Sequence, residues 1–271
     1  MLSILNSISS LTAENALSST QTSLQNTLTQ LSTGLKINSG ADDAAGLSIA
    51  NGLQANISAL TQSSQNASDG VGLLQTADGA LSQVTSLLDR AVTLATEAST
   101  GGLSTSQATA LDTEFQSIVT EIGNIGTTTN YNGTSIFGAS SNIYTTDGTT
   151  GGSSTVTTAI AALTTGGLGL TGTALTSTAA AQTALTDISA AISTIAANRG
   201  SIGASVNRLT AAANVENTEV TNLTAAQNNV QNADIGKTVA QMTQYSILQQ
   251  TGMAALSQSN QLQQAVLKLL Q

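Results

Sequence analysis

An apolar residue returns at every seventh position from Leu53 to Ala95, through Leu60, Ala67, Leu74, Leu81 and Leu88, and no proline interrupts the run. Ile49, Ile57, Val71, Val84 and Val92 fall near the intervening seam positions. A seven-residue repeat held this long fits a helix whose one face is covered by other helices. It predicts a single helix over about 45–99, roughly 80 Å long at ~1.5 Å per residue. A second run steps by threes and fours through positions 185, 188, 192, 195, 199, 202, 206, 209, 213, 216, 220, 223, 227 and 230, and eleven of these fourteen are apolar. The exceptions, Arg199, Glu216 and Gln227, are candidates for setting the register of the seam. Between the two runs, Gly101-Gly102 ends the first helix. Ser104 opens a Ser-x-x-Gln capping box with Gln107. Ala108, Leu111, Phe115, Ile118, Ile122 and Ile125 then give a shorter helix one apolar face.

The ends of the chain repeat the pattern more weakly. Leu17, Leu24, Leu28, Leu31 and Leu35 form one stripe, and Leu248, Ala255, Leu262, Val266 and Leu269 form another. Both segments are rich in Gln, Ser and Asn and almost uncharged, so helices built from them must draw their stability from packing. From 126 to about 178, Thr, Ser and Gly dominate, with short β-type runs at 135–137 and 143–145 between Gly and Asn turns, which predicts hairpins and loops. The fold expected is therefore mainly α: a long antiparallel helical bundle or coiled coil made by the N- and C-terminal segments, with a small β- and loop-rich central module. The divisions expected are 1–44, 45–138, 139–178 (a small variable surface module), 179–230 and 231–271.

Composition removes several functions. The 271 residues include no Cys, His, Trp or Pro. Zinc sites of the usual kind, thiol nucleophiles and Ser-His-Asp triads are thereby excluded. Six basic residues against fifteen acidic ones, with three Tyr and two Phe, leave neither a phosphate-binding stripe nor stacking platforms, so no nucleic-acid partner is expected. No apolar run is long enough to span a membrane. The first residues carry no basic charge before Lys36, so they do not read as a cleaved secretory signal. The 33 Ser and 43 Thr outnumber the charged residues more than threefold, which keeps the helix faces polar without charge.

The remaining motifs are weak. Asp42-Asp43 has no further ligand nearby in sequence and reads as the N-cap of the long helix rather than as a metal site. Gly167-Leu-Gly-Leu-Thr-Gly172 fits a dinucleotide-binding pattern with Asp187 twenty residues on, but Asp187 falls inside the second heptad run and no βαβ unit exists, so it reads as a turn. The sequons at Asn56, Asn66, Asn132 and Asn222 are short matches of a kind common by chance. The carboxylates are scattered, so neither an enzyme nor a cofactor is expected.

Two longer segments resemble bacterial flagellin. Leu31-Ser-Thr-Gly-Leu-Lys-Ile-Asn-Ser-Gly-Ala-Asp-Asp-Ala-Ala-Gly-Leu-Ser-Ile-Ala50 is similar to the family's N-terminal signature. Ala233-Asp-Ile-Gly-Lys-Thr-Val-Ala-Gln-Met-Thr-Gln-Tyr-Ser-Ile-Leu-Gln-Gln-Thr-Gly252, with Leu256, Asn260-Gln261 and Val266-Leu267, is similar to its C-terminal one. Asn130-Tyr-Asn-Gly-Thr134 resembles the family's step from the second helix into a hairpin. The resemblance covers about 1–138 and 179–271. It implies a secreted subunit that polymerises into the extracellular flagellar filament, with paired terminal helices at the filament core. The hook–filament junction protein of the same superfamily and a secreted host-recognition module are the alternatives. Its implied partners are further copies of itself, an export chaperone and the export apparatus, and the cap and junction proteins. Self-assembly is expected to rest on Leu24, Leu28, Leu31, Leu35, Leu248, Leu262, Val266 and Leu269. The resemblance extends to Arg90, Leu94 and Glu114, which in the family belong to the surface read by the Toll-like receptor for flagellin, although Asp89, Val92, Thr93 and Glu97 depart from that pattern. The other reading of these three is an Arg90–Glu114 pair across two packed helices, with Leu94 in the core.

Overall fold

Side-chain caps fix where the helices begin. The structure is a computed structural model and describes residues 8–146 and 155–269, with helices α1 (Ile8–Thr33), α2 (Ala44–Ala98), α3 (Thr105–Thr128), α4 (Thr178–Gln231) and α5 (Ile235–Leu269). Asp43 Oδ1 accepts the Gly46 amide at 2.9 Å and caps α2. Ser104 and Gln107 form the expected reciprocal box at α3. Ser177 Oγ accepts the Ala180 amide before α4, and Asp234 Oδ1 accepts the Lys237 amide before α5. At the other end of α1, Gly34 takes a left-handed conformation (φ 74°) and its amide reaches back to the Gln30 carbonyl.

Charge is scarce along these helices, and threonine hydroxyls take over the polar surface. Thr12, Thr20 and Thr27 in α1, Thr61, Thr76 and Thr93 in α2, Thr109, Thr113 and Thr120 in α3, and Thr210, Thr243 and Thr251 beyond each donate to the carbonyl four residues back. The hydroxyl thus satisfies its own donor without leaving the helix.

The chain divides into two compact units, and the divisions fall inside α2 and α4 rather than at their ends. One is Asn56–Thr221, the other Met1–Ala55 with Asn222–Gln271. In the first unit, Leu74, Leu81 and Leu88 of α2, Phe115 and Ile122 of α3, and Ile188, Ile195 and Leu209 of α4 are fully buried in one cluster. These are the residues that the seven-residue repeat and its three-and-four steps single out. Two antiparallel hairpins join them. β1 (Asn130–Tyr131) and β2 (Thr134–Ser135) are linked by Asn132-Gly133, both at positive φ, the turn that a two-residue hairpin favours. β3 (Ser140–Tyr144) pairs with β4 (Thr155–Ala159), Ile143 opposite Val156.

The described stretches of the central segment pack inward. Ile143, Val156, Ile160, Leu163, Leu168, Leu170 and Leu175 are buried in the same cluster as the helices, so the described stretches of 139–178 contribute to the core. The chain lies close enough to α3 that a Cβ on Gly126 would collide with the Leu163 carbonyl. Within Gly167–Gly172, Gly169 and Gly172 adopt positive φ and the loop turns Leu168 and Leu170 inward, while Asp187 accepts the Thr173 hydroxyl from α4. That is the geometry of a turn, as read from its context. The signal of burial is absent from the sequence because glycine turns reset the direction of the chain between one apolar residue and the next.

The three polar interruptions of the α4 stripe each meet a polar partner on α2. Arg199 holds Asp78 through two hydrogen bonds, at 2.8 and 3.2 Å, which also raise the pKa of the guanidinium. Glu216 meets Ser63 at 2.7 Å. In the terminal unit, Gln227 meets Gln54 at 2.9 Å. A one-turn slip of α4 along α2 would separate every such pair. Both members of the Arg199–Asp78 pair are more than a third exposed, so its worth is register more than stability.

Candidate self-assembly surface

The terminal unit pairs α1 with α5 in antiparallel fashion. Ser10 Oγ and Ser259 Oγ lie 2.7 Å apart, and Leu17 packs over Gly252. The joint is tied by backbone bonds from Ala233 to Gly34 and from Lys36 to Gln231, and Lys36 Nζ caps the end of α4 at the Asn229 carbonyl. Leu17, Leu24 and Leu31 recur every seven residues on the half-buried face of α1, alternating with Thr20 and the buried Thr27. On α5 the half-buried or buried positions are Thr238, Gln241, Met242, Tyr245, Ser246, Gln249, Gly252, Leu256 and Ser259. More than half of this seam is therefore hydroxyl, amide or glycine, too small and polar to supply a core of its own.

The large apolar side chains sit elsewhere. Ile37 and Ala50 are the buried apolar residues of the terminal unit among the described residues, whereas Ile8, Leu11, Leu28, Ile49, Ile235, Val239, Ile247, Leu248 and Met253 are exposed. Among the described residues the other unit exposes two, Tyr144 and Val215. At about 100° per residue, Leu248 lies on one flank of the α5 seam, Val239 and Met253 on the other, and Ile247 on the back. A helix apolar on several sides is a buried helix, and here a single partner helix covers one side. Exposed apolar surface on this scale marks a contact with other macromolecules.

The expected residues separate accordingly. Leu24 and Leu31 face α5 and are half-buried, Leu28 is 46% exposed, and Leu248 is 45% exposed. Leu35 departs from the expectation: α1 ends at Thr33, and beyond the Gly34 reversal Leu35 forms a single β-bridge with Asn232 instead of extending the helical stripe. The side chains of Leu262, Val266 and Leu269 lie outside the described residues. Ile8, Leu11, Ile235, Val239, Ile247 and Met253 were missed because a stripe search keeps one face and discards the rest. The signal that finds them is the lack of a charged counter-face.

Arg90 and Glu114 pair at 2.7 Å with both side chains about half exposed, while Leu94 is 1% exposed. Leu94 is thus packed in the helical core with its neighbours on the heptad. Among the described residues no cluster of metal-ligating side chains occurs and no helix is long and apolar enough to cross a membrane.

Comparison with known proteins places these terminal helices. Residues 4–142 match the bacterial flagellin N-terminal helical region and residues 185–270 the bacterial flagellin C-terminal helical region. A flagellin of Halalkalibacterium halodurans is 34% identical over 251 residues, 91% of each chain. A flagellin of Serratia marcescens is 39% identical over 146 residues, 54% of this chain and 42% of that longer one. The crystal structure of Bacillus cereus flagellin superposes with a TM-score of 0.51 at 32% identity, covering 60% of this chain and 94% of that one. With both terminal regions matched and nearly the whole length of one relative spanned, the chain belongs to the bacterial flagellin family.

Proposed function

We propose that this chain builds the flagellar filament through its terminal unit, whose exposed apolar side chains are buried by neighbouring copies. The observation that carries this reading is the contrast between the two units: one closes a core of its own, the other leaves nine large apolar side chains in water among the described residues. The subunit is structural and works as part of an extracellular filament. A contact made between unlike surfaces of identical copies repeats without closing, which yields a helical polymer. The scarcity of charge on α1 and α5 means that such burial strands few ions. The partners of this reading are those of a growing filament: an export chaperone and apparatus, a cap, and a junction to the hook. A chain without Cys or Pro suits passage unfolded and refolding outside, since neither disulfide exchange nor prolyl isomerisation delays it.

Removing about 40 residues from either end tests the proposal. The expected outcome is loss of filaments in negative-stain micrographs, with the cooperative thermal transition of the other unit retained by circular dichroism. Filaments at unchanged yield would overturn it, as would a discrete small oligomer of the full chain by light scattering.

A further inference from the structure

Glu216 occupies a position where the α4 repeat calls for an apolar residue, and it is 4% exposed. Its Oε1 lies 2.7 Å from Ser63 Oγ on α2, and the same hydroxyl lies 3.2 Å from the Tyr144 carbonyl at the end of β3. Its Oε2 is buried without a hydrogen-bond partner among the described residues. No lysine or arginine approaches within ion-pair distance there among the described residues. The charged group beside it is Glu219, one turn on along α4, and the hairpin brings in the backbone of Tyr144, whose side chain is exposed. Neither is a cation.

The proton count decides which form fits. Ser63 has one hydroxyl proton and faces two acceptors. With Glu216 ionised, that proton serves the carboxylate or the Tyr144 carbonyl but not both, and a charge with one dry oxygen remains inside. With Glu216 protonated on Oε1, it donates to Ser63, and Ser63 donates to Tyr144, so one directed chain ties α4 to α2 and to the hairpin. Burial pushes the Glu216 carboxyl up and repulsion from Glu219 adds to this, against the opposing pull of the Ser63 hydrogen bond. We propose that Glu216 is a proton-operated clamp that pins the β3–β4 hairpin onto α2 and α4, closed when the carboxyl carries its proton and loosened when it ionises.

The sign follows from linkage. A folded-state value above the unfolded one makes the clamp's contribution complete at acid pH and lost as pH rises through the folded-state value. The test is run on the monomeric full chain and its Glu216→Gln variant between about pH 4 and 9, by chemical unfolding, amide exchange of the hairpin, and ¹³C NMR of the six glutamate carboxyls. The wild-type unfolding constant, divided by that of the variant, is expected to rise by up to about tenfold per pH unit above the ordinary glutamate value and then level off. Hairpin exchange, corrected for its intrinsic pH dependence, should follow the same curve in the wild type and be flat in the variant. One carboxyl resonance, absent from Glu216→Gln, should titrate above the other five. Titration of Glu216 at the ordinary glutamate value overturns the clamp, and this measurement stands even if the variant folds poorly. Equal pH slopes in the two chains, or hairpin exchange indifferent to pH, overturn it as well. Filament formation is a separate readout, so failure of the clamp leaves the assembly proposal standing.

Discussion

Leu248→Ala separates the energy of assembly from that of folding. A leucine moved fully out of water contributes about 1.5–3 kcal/mol. Leu248 is 45% exposed in the protomer, so about 0.7–1.4 kcal/mol is still available to a neighbouring copy. Removing it should raise the critical concentration for filament growth about three- to tenfold, at about 1.4 kcal/mol per decade. The thermal transition of the monomer should hardly move, because little is removed from any core. Leu88→Ala is the mirror image: Leu88 is fully buried in the helical cluster, so the monomer should lose about 2–5 kcal/mol. The assays are pelleting of polymer against total concentration and circular dichroism melting of the depolymerised chain. The reasoning fails if Leu248→Ala assembles at the wild-type critical concentration, or if it lowers the melting temperature as much as Leu88→Ala does.

Two further substitutions probe the protomer itself. Gly126→Ala should lose about 1–3 kcal/mol in chemical unfolding, because its methyl meets the Leu163 backbone, whereas Gly123→Ala, whose methyl finds Thr165 at an ordinary 3.5 Å, should gain up to about 1 kcal/mol of helix propensity. The Asn38 and Ser39 amides hold the exposed Asp42 carboxyl below its ordinary value near 3.8, so its small contribution is present above that value and lost as pH falls through the lower folded-state one. Unfolding curves of wild type and Asp42→Asn should therefore differ at neutral pH and converge in acid, the opposite sense to Glu216; a gap that persists at low pH would count against the loop geometry.

Much of the helical unit was legible because one rule, apolar residues on a seven-residue repeat, governs Leu74, Leu81 and Leu88 alike, and because caps such as Ser104–Gln107 act within a single turn. The same rule marked Arg199, Glu216 and Gln227 as exceptions, though not the α2 residues that answer them, since those depend on a register set in three dimensions. Leu35 stands at helical spacing in the sequence, and that spacing does not reveal that Gly34 has already reversed the chain. Leu94 carries two readings in the sequence, a family surface by likeness and a core position on the repeat, and it is buried. The burial of Leu163, Leu168 and Leu170 follows from long-range docking of an irregular segment, for which periodicity has no vocabulary. On the candidate surface, the sequence showed stripes where the structure shows helices that are apolar on more than one side.

The threonines that fold their hydroxyls onto their own backbone give this chain an unusual freedom. An ordinary polar side chain pressed between two helices demands a mate from the opposing wall, and each mate fixes a relative position. A hydroxyl already bound to the carbonyl below it asks for nothing and carries its hydrogen bond into dry surroundings intact. What it presents outward is chiefly a methyl group. Walls built from such residues can be drawn together or slid past one another without stranding donors, and dissolved salt has little to screen.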